Sequence, residues 1–331
     1  MSLSRQDNAN RLATGINALA GGRSAVVRFA ADQAAMQPWI EMECYQLGRG
    51  SILAKMDCLN LGTQQLVRET QTAAIQKLGM TPANLCTVSV CTPDPTFRFS
   101  ELSANTDNSV FFMPGSTEFD IYVPAGACTA YISLDQEEFL RAARAIAPKA
   151  WARVPARLIS MSTTQRLAFS RLVDQVFAQA RSQGSANNPF DEPGLRTVIM
   201  QGVEIIVAAA PEAMLVEPER ANAMDVCRKS RTFIDEQLAL DSLPTIADIC
   251  QAVDVSERTL QYAFRRYVNV TPMTYLRLCR LNRVQAALRQ LDPDSTTVTT
   301  VALRYGFLHL GRFSADYKNT FGELPSETLS H

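Results

Sequence analysis

Residues 245–272 read TIADICQAVDVSERTLQYAFRRYVNVTP, and residues 297–325 read TVTTVALRYGFLHLGRFSADYKNTFGELP. Apolar residues recur at matching positions in the two stretches, first at a shift of 52 residues and then at a shift of 53. The added residue falls between the two sets of matches, where a turn tolerates an insertion. Because two copies are too few for a solenoid of stacked repeats, the pattern predicts a duplicated helical module.

Each copy predicts a short helix, a tight turn and a second helix. In the first copy, Thr245 and Asp248 have capping-box spacing, and Ser256 stands where it caps the second helix. Helical spacing predicts a buried stripe on that second helix, formed by Leu260, Ala263, Phe264 and Tyr267. Asn269 suits a left-handed exit from the helix, and a long helix is then expected over about residues 272–291.

This order of elements is the helix-turn-helix signature, in which the second helix carries side chains into the major groove of DNA. Arg258 and Gln261 lie one turn apart and suit guanine and adenine, whereas Arg265 and Arg266 suit phosphates. The residues predicted to contact DNA are Ser256, Arg258, Thr259, Gln261, Tyr262, Arg265, Arg266, His309, Arg312, Ala315 and Lys318. For either helix taken alone, an ordinary solvated face is the alternative interpretation, and a structural role is the alternative for Asp316.

Charge is distributed unevenly along the chain. The 331 residues include 32 Lys and Arg and 33 Asp and Glu, so the net charge of −1 excludes a uniformly basic nucleic-acid coat. Residues 255–318 hold ten basic and four acidic residues, which gives this stretch a charge of +6 and leaves −7 for the rest. Such asymmetry favours a nucleic-acid-binding end on an acidic partner domain.

The long helix, at about 30 Å, is close to one DNA turn of ~34–36 Å and suits two modules in successive major grooves.

Histidine and cysteine usage excludes several kinds of chemistry. The two histidines are His309 and His331, so residues 1–308 hold no Ser-His-Asp triad and no His-ligated metal. The eight cysteines form no Cys-x-x-Cys pair, and we expect reduced, buried thiols, with a Cys86–Cys91 redox pair as the alternative. No cofactor or metal is expected. No membrane span is expected either, because polar residues interrupt the most apolar stretch, 198–216. We therefore expect a cytoplasmic protein.

The residue pattern in the first part of the chain is typical of a β-rich domain. Short apolar runs alternate with turn signals over residues 26–134, as in Leu85–Val90, Val110–Met113, Phe119–Val123 and Cys128–Leu134. This pattern predicts a β-sandwich or small barrel. Helical periodicity begins near residue 135, with apolar stripes over 139–146 and 172–180 and a third helix over 193–210. The helices at 167–180 and 197–209 either mediate dimerisation or pack against their own barrel.

Residues 225–331 resemble the DNA-binding domain of AraC/XylS-type bacterial transcription regulators. The resemblance is carried by Val255–Leu260, Phe264, Pro272, Tyr275-Leu276, Arg280-Leu281, Ala302, Gly306-Phe307, Phe313, Phe321-Gly322 and Pro325-Ser326. It implies reading helices at 256–267 and about 310–320. Asn269 stands where this family frequently has Gly, and Gly311 where a Ser often begins the last reading helix. Residues 306–313 and 114–119 are similar to stretches of ethanolamine-operon regulators, which makes ethanolamine one candidate effector.

Pattern and resemblance together predict an α+β fold with two domains. The resemblance implies a β-rich, cupin-like N-terminal domain with helices, which senses a ligand or dimerises, and an all-α C-terminal domain of two helix-turn-helix modules joined by a long helix. The expected boundaries are a flexible tail at 1–24, the sensing or dimerisation domain at 25–212, a linker at 213–222 and the DNA-binding domain at 223–331.

The function predicted is a ligand-responsive, sequence-specific transcription regulator, an activator of a metabolic or virulence operon. Its expected partners are double-stranded DNA, RNA polymerase, a small-molecule effector and a second copy of the chain. Candidate walls of the effector site are Phe97, Phe99, Phe112, Phe119, Tyr122 and Tyr131, and core packing is the alternative for each. Two alternatives stay open. One is a regulator whose N-terminal domain only oligomerises, and the other is an alkyl-transfer enzyme using Cys44, Cys86 or Cys128, none of which lies in a recognisable reactive motif.

Overall fold

A computed structural model describes residues 16–19, 22–104, 108–183, 191–207 and 218–330. The chain divides into two compact units. The β-rich unit comprises residues 1–44, 53–72 and 77–214, and the helical unit comprises residues 45–52, 73–76 and 215–331. No helix in these described ranges combines the length and the apolar character needed to cross a bilayer.

Thirteen strands lie in the described part of the chain. They are β1 Ile16–Leu19, β2 Gly22–Val27, β3 Glu41–Gln46, β4 Ala54–Asn60, β5 Gln64–Gln71, β6 Ile75–Met80, β7 Leu85–Cys91, β8 Asp94–Phe99, β9 Leu102–Ala104, β10 Ser109–Met113, β11 Glu118–Val123, β12 Cys128–Asp135 and β13 Ile159–Ser162. One sheet has the order β1-β2-β4-β5-β12-β7-β10-β13, and the second has the order β3-β6-β11-β8-β9. The four strands predicted between residues 85 and 134 are confirmed as β7, β10, β11 and β12.

Helices cover the larger sheet from within its own unit. They are α1 Ala30–Ala35, α2 Gln136–Ile146, α3 Arg166–Ser182 and α4 Glu192–Val207. Apolar residues of α2, α3 and α4 share one buried cluster with strand residues such as Phe112, whose ring lies 5.0 Å from that of Phe139 and 5.1 Å from that of Trp151. The buried apolar faces of α3 and α4 thus pack within their own unit, which agrees with the alternative that these helices pack against their own barrel. Ile146 departs from its predicted stripe, because it ends α2 and is 42% exposed.

Two predicted boundaries need correction. The tail expected at 1–24 is too long, because β1 and β2 pair as antiparallel strands with Ile16 opposite Ala25. A backbone ladder satisfies their amides and carbonyls without requiring an apolar run. The linker expected at 213–222 is also too long, because a helix begins at Pro218, and proline suits the first helical turn. Residues 1–15 and 213–217 lie outside the described residues.

The helical unit contains seven helices in its described residues. They are α5 Pro218–Ala239, α6 Ile246–Ala252, α7 Glu257–Tyr267, α8 Pro272–Gln290, α9 Val298–Arg304, α10 Leu310–Phe321 and α11 Pro325–Ser330. The predicted capping box at Thr245 and Asp248 is present, and Ser256 accepts a hydrogen bond from the Thr259 amide at 3.2 Å. Asn269 has the predicted left-handed backbone, with φ +57°. Pairs α6/α7 and α9/α10 therefore form where the repeat predicted them.

Candidate nucleic-acid interface

Helix α7 has one buried and one exposed face. Leu260, Ala263, Phe264 and Tyr267 are all at most 2% exposed, as their spacing predicted. The ring of Phe264 meets that of Tyr275, from α8, with their centroids 5.1 Å apart. This packing fixes the rotation of α7 about its axis and so determines which side chains point outward.

All eleven side chains predicted to contact DNA are exposed. The outward face of the first module carries Ser256, Arg258, Thr259, Gln261, Tyr262, Arg265 and Arg266, and that of the second carries His309, Arg312, Ala315 and Lys318. The exposed polar residues of α7 are partly ordered by one another. The hydroxyls of Ser256 and Thr259 lie 2.9 Å apart, and Gln261 Nε2 donates to Glu257 Oε1 at 3.1 Å. A base contact by Gln261 would replace this solvent-exposed hydrogen bond.

Some basic residues of the helical unit have intramolecular partners, and others do not. The residues held by a partner are Arg277 with Asp316, Arg283 with Asp235 at 3.3 Å, Arg304 with Asp241 at 2.7 Å, and Arg280 with the Pro244 carbonyl at 2.7 Å. Within the described ranges, the basic residues without a hydrogen bond or ion pair include Arg258, Arg265, Arg312 and Lys318. Within residues 255–318, the basic residues without such a partner lie on α7 and α10, the second helix of each pair.

The ion pair between Arg277 and Asp316 connects α8 to α10, in keeping with the structural alternative for Asp316. Burial, and then the nearby charge of Arg312, lower the pKa of Arg277. Arg280 pairs with a backbone carbonyl rather than with an acid, and its burial lowers its pKa. Repulsion between Arg277 and Arg312 favours an anion near the start of α10.

The start of α10 differs from the start of α7. The N-cap residue His309 makes no side-chain hydrogen bond to the helix, whereas Ser256 does so at α7. A Cβ placed on Gly311 would meet nothing within 4 Å. Because Gly311 stands where Ser is frequent, position 311 itself offers no side chain to DNA, and the space around it is open.

A family model described as a helix-turn-helix domain matches residues 249–331. The chain is 36% identical over 145 residues to a probable thc operon regulatory protein of Rhodococcus erythropolis, covering 44% of this chain and 42% of that protein. It is 43% identical over 99 residues to the XylDLEGF operon transcriptional activator 2 of Pseudomonas putida, covering 30% of this chain and 61% of that protein. Residues 249–331 are therefore a helix-turn-helix domain similar to those of AraC/XylS-type regulators.

The matched part of this chain spans less than two thirds of the length of each of these two relatives. A crystal structure of a transcriptional regulator from Chromobacterium violaceum, described as a protein with an AraC-type DNA-binding domain, matches 33% of this chain and 94% of its own at 26% identity, with a TM-score of 0.30. The matched helix-turn-helix domain runs from within α6 to the end of α11 and includes both helix pairs described above.

The six aromatic residues predicted to line an effector site are all buried but lie in different places. Phe97 stacks on Phe99 with centroids 5.0 Å apart, whereas Phe112 lies in the large cluster beneath α2 and α3. Tyr131 belongs to a separate cluster that includes Met36 and Met56. Phe119 and Tyr122 are 5% and 7% exposed.

A buried polar cluster in the β-rich unit was not predicted from the sequence. Lys77 Nζ pairs with Glu69 Oε1, and the two side chains are 6% and 1% exposed. Gln33 Nε2 donates to Glu69 Oε2 at 3.3 Å and to Gln71 Oε1 at 3.0 Å. The sequence did carry a signal for this cluster, because strand alternation puts the polar residues Glu69 and Gln71 on the same face of β5 as the apolar Val67.

Tyr131 lies at the edge of this polar cluster. Its hydroxyl donates to Gln37 Oε1, and Lys77 Nζ lies 6.0 Å from its ring centroid. Burial raises the pKa of Tyr131 well above its ordinary value. Gln37 Nε2 and Trp39 Nε1 are buried and make no hydrogen bond within the described part of the chain. The cluster therefore has unused hydrogen-bond donors in an enclosed setting.

The buried cysteines of the β-rich unit are poor nucleophiles. All eight cysteines of the chain are free, and burial raises the pKa of Cys44 and of Cys91 to about 12 and raises that of Cys86 as well. Because the thiolate is the nucleophile, these three thiols are unreactive near neutral pH. Cys128 is exposed. The relatives are named as regulators, and none of these comparisons indicates an enzyme family.

Proposed function

We propose that this chain is a sequence-specific, DNA-binding transcription regulator whose helices α7 and α10 enter successive major grooves. The observation that carries the proposal is the position of the unpaired positive charge. Within residues 255–318 this charge lies on the second helix of each pair, while Arg277, Arg280, Arg283 and Arg304 are held within the unit. The names of the relatives, an operon regulatory protein and a transcriptional activator, support the same function.

In this proposal, Arg258 and Gln261 read bases from α7. Arg265 and Arg266, near the end of that helix, bind phosphates, which give affinity without sequence information. Ser256, Thr259 and Tyr262 complete the contact face of the first module. The second module contributes His309, Arg312, Ala315 and Lys318, and its contacts are mainly to the backbone because Ala315 offers only apolar contact.

The test uses the full chain and a duplex selected from a random library. Arg258→Ala and Gln261→Ala should each weaken binding of the selected duplex by about 1–3 kcal/mol and relax selection at one position. Arg265→Ala should weaken selected and random duplexes alike and reduce the salt slope by about 1. Arg153→Ala removes the same charge from an exposed site of the β-rich unit and serves as the control. Unchanged duplex selection in both base-reading variants would overturn the assignment.

We also propose that the β-rich unit, predicted at residues 25–212, is a cupin-like sensing and dimerisation domain, and that the helical unit holds the DNA-binding domain predicted at residues 223–331. Two mainly antiparallel sheets support the comparison with a cupin. In this proposal a homodimer acts on chromosomal DNA in the cytoplasm and recruits RNA polymerase as an activator. Sedimentation of the purified chain, with and without the selected duplex, tests the dimer.

The effector in this proposal is a small molecule that accepts hydrogen bonds. The unused donors of Gln37 and Trp39, beside Tyr131, support a binding site in this cluster rather than at the five other predicted aromatic residues. Ligand binding to the folded state raises the unfolding temperature by mass action. A metabolite panel, ethanolamine included, should contain a compound that stabilises the natural chain and not Gln37→Leu. No stabilisation by any compound would favour the purely oligomerising alternative.

A further inference from the structure

The helical unit includes two segments from far earlier in the chain, residues 45–52 and 73–76. We call them together the brace. The amides of Leu47 and Gly48 both donate to the carbonyl oxygen of Ala74, at 2.8 and 2.9 Å. These hydrogen bonds make the two halves of the brace a single structural feature.

The brace is hydrogen-bonded to α8 through Asn282. The Asn282 Oδ1 atom accepts from the Gln46 amide at 2.9 Å, and Asn282 Nδ2 donates to the Gln46 carbonyl at 3.0 Å. The side-chain amide thus pairs with both backbone groups of Gln46, as a neighbouring strand would. Asn282 is 8% exposed, so its role lies inside the unit rather than at the DNA surface.

The brace is also hydrogen-bonded to the end of α10. The carbonyl of Thr320 belongs to the last turn of this helix, where carbonyls have no partner within the helix. It accepts from Gln46 Nε2 at 2.6 Å and from the Gly50 amide at 3.1 Å. Gln46 therefore joins α8 through its backbone to α10 through its side chain, and it is fully buried.

The other half of the brace reaches the first module. Tyr275, at the start of α8, donates its hydroxyl to Gln76 Oε1 at 2.7 Å. The ring of Tyr275 packs against Phe264, on the buried face of α7. The brace is therefore linked to α7 through Tyr275 and bonded directly to α10 at Thr320.

We propose that Gln46 and Asn282 are positioning residues that fix the spacing at which α7 and α10 meet DNA. The proposal rests on the proposed function of these two helices. A fixed spacing penalises any duplex in which the two half-sites are shifted, because only one module can then bind well. Removing the hydrogen bonds of the brace leaves α10 held by its apolar core and the Arg277–Asp316 ion pair. We expect such a chain to tolerate altered spacing.

The experiment measures binding of the full chain to its selected duplex and to versions with one or two base pairs inserted between the half-sites. Gln46→Met keeps the side-chain length but removes the donor to Thr320, and Asn282→Leu removes both hydrogen bonds to the Gln46 backbone. Gln290→Ala, at an exposed amide that ends α8, is the control. Each variant should lower the ratio of natural-spacing to inserted-spacing affinity by about tenfold, while the control keeps it unchanged.

Thermal unfolding is followed in parallel, and Gln46→Met decides the outcome if Asn282→Leu does not fold. An unchanged spacing ratio in a folded variant would overturn the proposal. An equal loss of affinity for all duplexes would also overturn it, because that result indicates a structural role without control of spacing. If the natural chain prefers no duplex at all, the proposed function of α7 and α10 fails instead.

Discussion

The buried ion pair between Lys77 and Glu69 allows a sharp test of what stabilises the β-rich unit. Both side chains are almost completely buried, and the second carboxylate oxygen of Glu69 has one hydrogen bond, from Gln33. Lys77→Met keeps an unbranched side chain of similar length and removes the charge. It leaves the Glu69 carboxylate buried with a single neutral donor.

The expected cost follows from the burial of both groups. Removing one partner of a buried ion pair costs about 3–5 kcal/mol, whereas replacing both partners by neutral groups of similar volume is often nearly neutral. Lys77→Met should therefore lower the free energy of unfolding by about 3–5 kcal/mol. The double variant Glu69→Gln, Lys77→Met should recover most of that loss. Lys55→Met, at an exposed position on β4, should change it by less than about 0.5 kcal/mol.

Tryptophan fluorescence during denaturant unfolding provides the assay. The two tryptophans of the chain, Trp39 and Trp151, both belong to the β-rich unit, so their signal follows this unit and not the helical one. A stability loss in Lys77→Met no larger than that of Lys55→Met would refute the reasoning. A double variant that loses the sum of both single losses would refute it too, because the pair would then show no coupling.

Two further predictions concern acid stability and a helix end. Burial opposes ionisation of Asp57, but hydrogen bonds from Ser24, Arg68 and Arg181 outweigh it and lower its pKa below its ordinary value. Its stabilising effect should be present above the unfolded-state pKa and lost as the pH falls through the lower folded value, and acid titration of Asp57→Asn should lack this component. Gly322 has φ +79° and an added Cβ would lie 2.3 Å from the Cβ of Ser51, so Gly322→Ala should lower the unfolding temperature. Gly311→Ala, with open space around it, should instead raise the free energy of unfolding by up to about 1 kcal/mol, and differential scanning calorimetry of both glycine variants checks the two predictions.

The helix pairs were predictable because the signals that form them are local. Apolar spacing defines the buried face of α7, and Ser256 and Asn269 mark its beginning and its exit within a dozen residues or so. The four strands predicted between residues 85 and 134 were local in the same sense. Their places in the sheets were not, since β11 belongs to the second sheet, β12 lies between β5 and β7 in the first, and no local pattern states which strands pair.

The brace could not be predicted for a similar reason. Gln46 and Asn282 are 236 positions apart, and each is a single polar residue without a periodic signal around it. Their meaning depends on a tertiary contact that satisfies backbone groups of Gln46 and the open carbonyls of α10. The same holds for Lys77 and Glu69, whose charges would ordinarily predict exposed positions.

Counting charges along the sequence overstates how many basic residues of the helical unit are available to bind DNA. The stretch 255–318 has ten basic residues, yet four of them are engaged by Asp316, Asp235, Asp241 or a backbone carbonyl. Two of these acids, Asp235 and Asp241, lie outside the stretch, so counting charge along the sequence cannot detect their neutralising effect. The sequence therefore indicates a basic region, but only the packing of α8 and α9 separates the arginines held by intramolecular partners from those on α7 and α10. That separation explains why Arg258 and Arg265, rather than Arg280 or Arg283, carry the tests proposed above.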